Sequence, residues 1–183
     1  EYRLAFADRV QKHCFGVGAL TPEANAARWR QRAHELELPL LAESARWGYC
    51  RRNPPFTIED WYRERDRLLG VYFPRRTQVL LRQLRSAGLY PKVDAPEFQV
   101  VPIAGNSSKS KVTFAPAAIA GTVLYVTQDG TDPRTPGKGE PAPGAQICVG
   151  ELTVTPPITV KARARTGIER SALVVVEVPV APK

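Results

Sequence analysis

Few side chains in this 183-residue chain have the type and spacing that chemistry requires. The two histidines are His13 and His34, both on stretches of helical periodicity. His34 beside Glu35 has the makings of a base and its orienter, but no GxSxG-like nucleophile turn accompanies it, so no catalytic set is assigned. Gly16-Val17-Gly18 follows a helix, not a strand, and lacks the third glycine of a phosphate-cradling loop. Asp129 and Asp132 are two hard oxygen donors three residues apart, which suits calcium only if backbone carbonyls complete the shell. The same residues have turn work to do: Asp129-Gly130 and Asp132-Pro133 are turn dipeptides, and we read them as a structural turn. Cys14, Cys50 and Cys148 contain no CxxC pair, so no thiolate metal site is read. Cys14 and Cys50 each end a predicted helix. They make either a disulfide, which would imply an oxidising compartment, or two free thiols. Spacing does not fix the geometry; the expectation carried forward is the disulfide. Trp29, Trp47, Trp61 and Tyr62 are the large aromatics of the first half. Exposed, they would stack on sugars or a partner; placed on apolar helix faces, they belong to a core.

The elements that hold these residues differ between the two halves. Tyr2–Phe15 carries Leu4, Phe6, Ala7, Val10 and Cys14 at helical spacing. Thr21-Pro22-Glu23 starts a second helix, with Thr21 as cap and Pro22 in the first turn. Pro39 is expected to kink or break it, and Leu40–Trp47 continues to Gly48. Arg51–Phe56 reads as a loop. Thr57 to Asp60 is a capping box for a helix over Ile58–Tyr72, and Arg75–Ala87 forms the last one. Residues 1–90 are therefore an α-helical segment, and the proline-bearing stretch 91–97 is a linker.

Residues 98–183 read as strands: Phe98–Val101, Val112–Ala115, Val123–Thr127, Leu152–Thr155, Ile158–Arg165 and Leu173–Val178, with Ile103–Ser110 a polar loop. Short strands separated by turns argue a β-sandwich. Leu173-Val174-Val175-Val176 is apolar on successive positions, which predicts cover on both faces. The fold class is thus α + β in separate segments, a helical bundle piece followed by an all-β sandwich.

Net charge is +8, and residues 1–95 hold 17 basic against 11 acidic side chains. Runs such as Arg63-Glu64-Arg65-Asp66-Arg67 mix the signs, which points to a solvated helical surface and not to a nucleic-acid interface. No stretch of about 20 apolar residues is present, so no membrane span is expected. The chain contains no Met, and we read it as a piece of a longer protein.

Two resemblances extend this reading. YVTQDGTDPR at 125–134 with ITVKARAR at 158–165 resembles the immunoglobulin-like module that ends chitobiases and β-hexosaminidases, where a DGSDP-type turn and a TVKARA strand recur. FADRVQKHCFGVGALTPEANAARW, AESARWG and WYRERDRLLGVYFPRRTQVLLRQLRSAGLYP resemble in order the C-terminal helical end of CotH-type atypical protein kinases, related to spore coat protein H. The second resemblance implies a secreted or surface-attached bacterial parent whose kinase-like part, with its ATP and divalent metal, is encoded upstream. No cofactor or metal is expected in this chain itself. On this basis it is a non-catalytic structural and interaction segment, whose partners are proteins, a cell-surface polymer or neighbouring domains. The alternatives are a wall of a kinase active site and a carbohydrate-binding accessory module.

Overall fold

The structure is a computed structural model that describes residues 1–50, 52–115 and 117–180. Arg51, the first residue of the expected loop, and residues 116 and 181–183 of the expected sandwich lie outside the described residues. The chain condenses into two compact units, Glu1–Lys12 with Leu84–Lys183, and His13–Gln83. The N-terminal end of the first helix thus belongs to the unit that carries the strands, a placement that helical periodicity does not signal.

In the helical unit, α2 (Pro22–Trp47) is followed by α3 (Ile58–Arg67) and α4 (Phe73–Ser86), whose last turn enters the other unit. Thr21 caps α2 by accepting the Ala24 N–H at 3.2 Å, and Asp60 accepts the Thr57 N–H at 3.1 Å at the start of α3. Pro39 lies inside α2 and does not break it. A proline removes one N–H and crowds the carbonyl four residues before it. Here Pro39 and Glu35 are both exposed, so water can serve the freed carbonyl. One lost bond does not end a 26-residue helix. Gly48 does not stop α2 in the left-handed conformation; its φ of −54° continues into a 3₁₀ turn over Gly48–Cys50. A π-helical turn, Leu68–Tyr72, joins α3 to α4.

The disulfide expected between Cys14 and Cys50 is not formed: Cys14 is buried, Cys50 is exposed, and both are free, as is Cys148. A thiol at an exposed 3₁₀ end does not face one held in a packed helix end. Burial pushes the Cys14 and Cys148 thiols up from their ordinary range.

The other unit opens with α1 (Tyr2–Cys14) up to Lys12 and continues through a two-sheet antiparallel sandwich. One sheet has the order β1–β2–β5, from β1 (Phe98–Ile103), β2 (Asn106–Phe114) and β5 (Glu151–Val154). In the other, β3 (Val123–Thr127) lies between β4 (Gln146–Ile147) and β6 (Ile158–Thr166), and β6 also pairs with β7 (Glu169–Arg170) and β8 (Val174–Val178). The inner faces enclose Val112, Phe114, Val126, Val154, Val160, Ala162, Val174, Val176 and Val178. Full burial of valine and phenylalanine side chains like these contributes about 1.5–3 kcal/mol each.

The fold class read from the sequence holds, with two local corrections. Ile103–Ser110 is not a loop: Gly105, at φ +77°, turns β1 into β2, and Asn106 and Ser110 pair with Ile103 and Pro102 across a shift in register. The apolar run in β8 is not covered on both faces either. Val174, Val176 and Val178 are buried, whereas Val175 is 44% exposed, the ordinary alternation of a sheet with one wet face.

Contacts within the β-unit anchor the stretch 91–97 to the end of α4. Tyr90 and Val93 are buried, the Arg85 Nε donates to the Pro91 carbonyl at 3.2 Å, and Arg85 also pairs with Asp94.

Candidate functional site

The densest polar arrangement is built on β6. Period-2 alternation puts Val160, Ala162 and Ala164 on the core face and Lys161, Arg163 and Arg165 on the other. An arginine on an outer face ordinarily reaches water, yet Arg163 is only 1% exposed.

Every N–H of its guanidinium is used. The Nε and Nη2 donate to the two oxygens of Asp132, each at 2.7 Å. The Nη1 and Nη2 donate to the two oxygens of Asp8 on α1, at 2.9 and 2.7 Å. The fifth bond runs from Nη1 to the Ser171 carbonyl at 2.9 Å. Five donors with five acceptors is the full capacity of this side chain, and two forked carboxylate pairs give the directional geometry that lysine lacks. Asp8 is itself fixed, because its Oδ1 also accepts the Leu173 N–H at 2.8 Å.

The turn between β3 and the following loop sets Asp132 in place. Asp129 Oδ1 accepts from the Thr131 N–H at 2.9 Å and from its hydroxyl at 2.6 Å, and Gly130 has φ +78°. The buried Thr127 hydroxyl donates to the Thr131 carbonyl at 2.6 Å. Asp132 Oδ1 accepts the Arg134 N–H at 3.1 Å, and Pro133 is fully buried. Asp129 and Asp132 thus face different tasks: the first closes its own turn, the second pairs with Arg163. Among the described residues no group of three or more His, Cys, Asp or Glu side chains could hold a metal ion.

A second arginine repeats the theme one step away. Arg134 Nη1 and Nη2 donate to the two oxygens of Glu1, at 2.8 and 2.9 Å, and the Gly137 N–H donates to the same carboxylate at 2.8 Å. Glu1 and Asp8, two turns apart on the N-terminal segment, are therefore both seated on arginines of the β-unit. An open cleft of about 460 Å³ lies beside this turn, lined by Asp129, Thr131, Asp132, Arg134, Thr135 and Gly144 among others.

Electrostatics follows the geometry. The Arg134 hydrogen bond and the Gly137 N–H hold the Glu1 carboxyl down at about 2, from an ordinary 4.5. Burial pushes Asp132 up, but the bonds and charge of Arg163 outweigh it and hold the carboxyl below its usual range. Burial likewise pushes Arg163 down, and its two carboxylates outweigh that too. Depressed carboxyls stabilise the fold above their unfolded pKa and lose that contribution as pH falls through the folded value. The β-unit is therefore expected to hold a constant urea midpoint from about pH 8 to about pH 5, then lose stability steadily between about pH 4.5 and pH 2. Far-UV circular dichroism during urea titration at a series of pH values measures this. A midpoint unchanged down to about pH 3 would contradict the assignment of Glu1 and Asp132.

The other residues singled out in the sequence are scattered. His34 is exposed, with its Nδ1 4.0 Å from Glu37, and no nucleophile stands beside it among the described residues. Trp29 packs on Trp61 with ring centroids 5.7 Å apart and on Phe73 at 6.5 Å, forming the aromatic centre of the helical unit. The Tyr62 hydroxyl donates to Glu37 at 2.8 Å. Trp47 is 46% exposed, with the Arg46 guanidinium 5.0 Å from its ring. The arginines of α3 pair with acids close in sequence, Arg63 with Asp60, Arg65 with Asp66 and Arg67 with Glu64.

Sequence reasoning passed over Asp8, Arg163, Glu1 and Arg134. No local signal marks them: Ala162 and Ala164 face the core, on the side of β6 opposite to Arg163, so the strand reads like any other with exposed basic residues.

No family model matches the chain, and no curated protein matches it. Among solved structures, the chain is similar to a mutant named FN3tt, with 20% identity and a TM-score of 0.32 over 48% of this chain and 94% of that one. It is similar to a computationally redesigned β-sandwich protein, with 17% identity and a TM-score of 0.30 over 50% and 95%. It is also similar to the FN5 domain of Drosophila Lar, with 22% identity and a TM-score of 0.24 over 48% and 97%.

Proposed function

We propose that this chain is a non-catalytic structural and interaction segment of a larger multidomain protein, secreted or held at a bacterial surface, with a kinase-like part encoded upstream. The observation that carries the reading is the fate of Asp132. It is one of the two turn acids considered for a cation, and it is spent, together with Asp8, on Arg163. A carboxylate locked in a forked pair neither shuttles protons nor has lone pairs to offer a metal at low cost. The arrangement seats an N-terminal helix on a β-sandwich in one orientation. That is the work of a joint, holding the start of this segment against a module that meets protein partners, a cell-surface polymer or neighbouring domains. The resemblance of the helical stretches to the end of CotH-type kinases supports the parent context, and that of the YVTQDGTDPR turn and ITVKARAR strand to chitobiase C-terminal modules supports the accessory role. Titration calorimetry of the chain with ATP and magnesium, followed by mass spectrometry, tests this. Flat heats and an unchanged mass are expected; micromolar binding or incorporated phosphate would overturn the reading in favour of a catalytic contribution.

A further inference from the structure

The arginines of the β-unit do not all find partners. Arg134 is paired with Glu1, and Arg163 with Asp8 and Asp132. Arg165 donates its Nε to the Gly167 carbonyl at 2.7 Å. Arg170 makes no side-chain hydrogen bond or ion pair among the described residues, and its Nη2 is buried without an acceptor.

Its surroundings make this costly. Arg165 and Arg170 stand directly opposite one another across the β6–β7 hairpin, and like charges in that position repel. Burial first, and then the charges of Arg165, Arg134 and Arg163, push the Arg170 pKa below its ordinary value, with Asp132 opposing. The guanidinium lies against the loop after Arg134: its Nη1 is 3.4 Å from where a Cβ on Gly139 would stand. That loop is closed by the Thr135 N–H donating to the Glu140 carbonyl at 2.8 Å, and Gly137 and Gly139 both have positive φ. Arg170 as a whole is half-buried, but a shielded N–H donor without an acceptor loses its hydration with no return. A cationic fork under a glycine-bearing loop suits an oxygen anion, because the small residues let one approach closely.

We infer that Arg170, with the Gly137–Gly139 loop over it, is a binding site for one small oxyanion, a phosphate or a carboxylate, whose oxygen accepts from Nη2. The bound charge offsets the repulsion between Arg165 and Arg170. The loop shifts aside to admit it, since Nη2 is shielded from solvent.

The test uses the whole chain, ¹⁵N-labelled and titrated with inorganic phosphate and separately with acetate, at ionic strength held constant with sodium chloride. The amides of Gly137, Gly139 and Arg170 are expected to shift saturably with at least one of the two, at millimolar concentrations. The anion that saturates identifies the ligand class. Arg170→Met is expected to abolish the saturable shift and, in buffer free of both anions, to unfold at or above the wild-type temperature, because it removes a shielded, unpaired donor and the charge that faces Arg165. Arg170→Lys keeps a charge without the fork and is expected to weaken the half-point about tenfold. Shifts that fail to saturate with both anions, shifts that persist in Arg170→Met, or an unchanged half-point in Arg170→Lys would each overturn the proposal.

Discussion

Replacing Arg163 by Met is expected to cost the β-unit about 3 kcal/mol of stability and to release the N-terminal helix. Met preserves much of the aliphatic length of the arginine, so the loss reports the charge and its hydrogen bonds, not a large cavity. What remains is two carboxylates aimed at one another across a site vacated by their shared cation. Asp8 and Asp132 keep side-chain exposures of 22% and 26%, so partial hydration holds the cost at the lower end of the roughly 3–5 kcal/mol typical of a broken buried pair. Against a total stability of about 5–15 kcal/mol that loss is large. Chemical denaturation followed by circular dichroism would show it. Adding Asp8→Asn and Asp132→Asn to Arg163→Met should restore part of the loss, because the repulsion goes with the charges. A single Arg163→Met variant as stable as wild type would mean that the ion pairs offset no more than their own desolvation.

Gly48→Ala is expected to destabilise the helical unit by about 1–3 kcal/mol, against the direction that helix propensity gives. Gly48 has helical dihedrals, and in a free helix alanine would gain about 1 kcal/mol over glycine. Here a Cβ would stand 2.2 Å from the Phe56 carbonyl oxygen, and that atom is main chain, so no rotamer change relieves the clash. The same approach lets the Phe56 N–H donate to the Gly48 carbonyl at 3.1 Å, which closes the loop between α2 and α3. The steric cost therefore exceeds the propensity gain. All three tryptophans, Trp29, Trp47 and Trp61, lie in this unit, so intrinsic tryptophan fluorescence reports its unfolding. A midpoint that rises in Gly48→Ala would show that the loop yields easily.

The strands were legible where the pattern was local. Asp129-Gly130 and Asp132-Pro133 mark a turn by residue type alone, and Ile158–Arg165 alternates cleanly. The two-residue strands β4 and β7 were not, because such short pairings leave no period to read. Asn106–Ser110 was read as a loop because polar residues on a hairpin resemble loop composition; only pairing with Phe98–Ile103 makes them a strand. Pro39 misled because its local cost is real but is spread over a long, exposed helix. The candidate site was hidden for another reason. Arg163 and Asp8 are 155 positions apart, and nothing in KARAR says that one of its arginines is buried. Asp132 was singled out from its turn chemistry, while its partner could be found only once α1 was placed on the sandwich. The thiols teach a similar lesson: Cys14 and Cys50 share the position of a helix end, but one end is buried and the other is not.

The central claim is that Asp8 on the N-terminal helix and Arg163 on β6 act as one unit. A double-mutant cycle with Asp8→Ala, Arg163→Met and the combined variant, read from urea unfolding of the β-unit at about pH 7, measures their coupling directly. The account predicts a favourable coupling of about 1.5–3 kcal/mol. A coupling within about 0.5 kcal/mol of zero would contradict it.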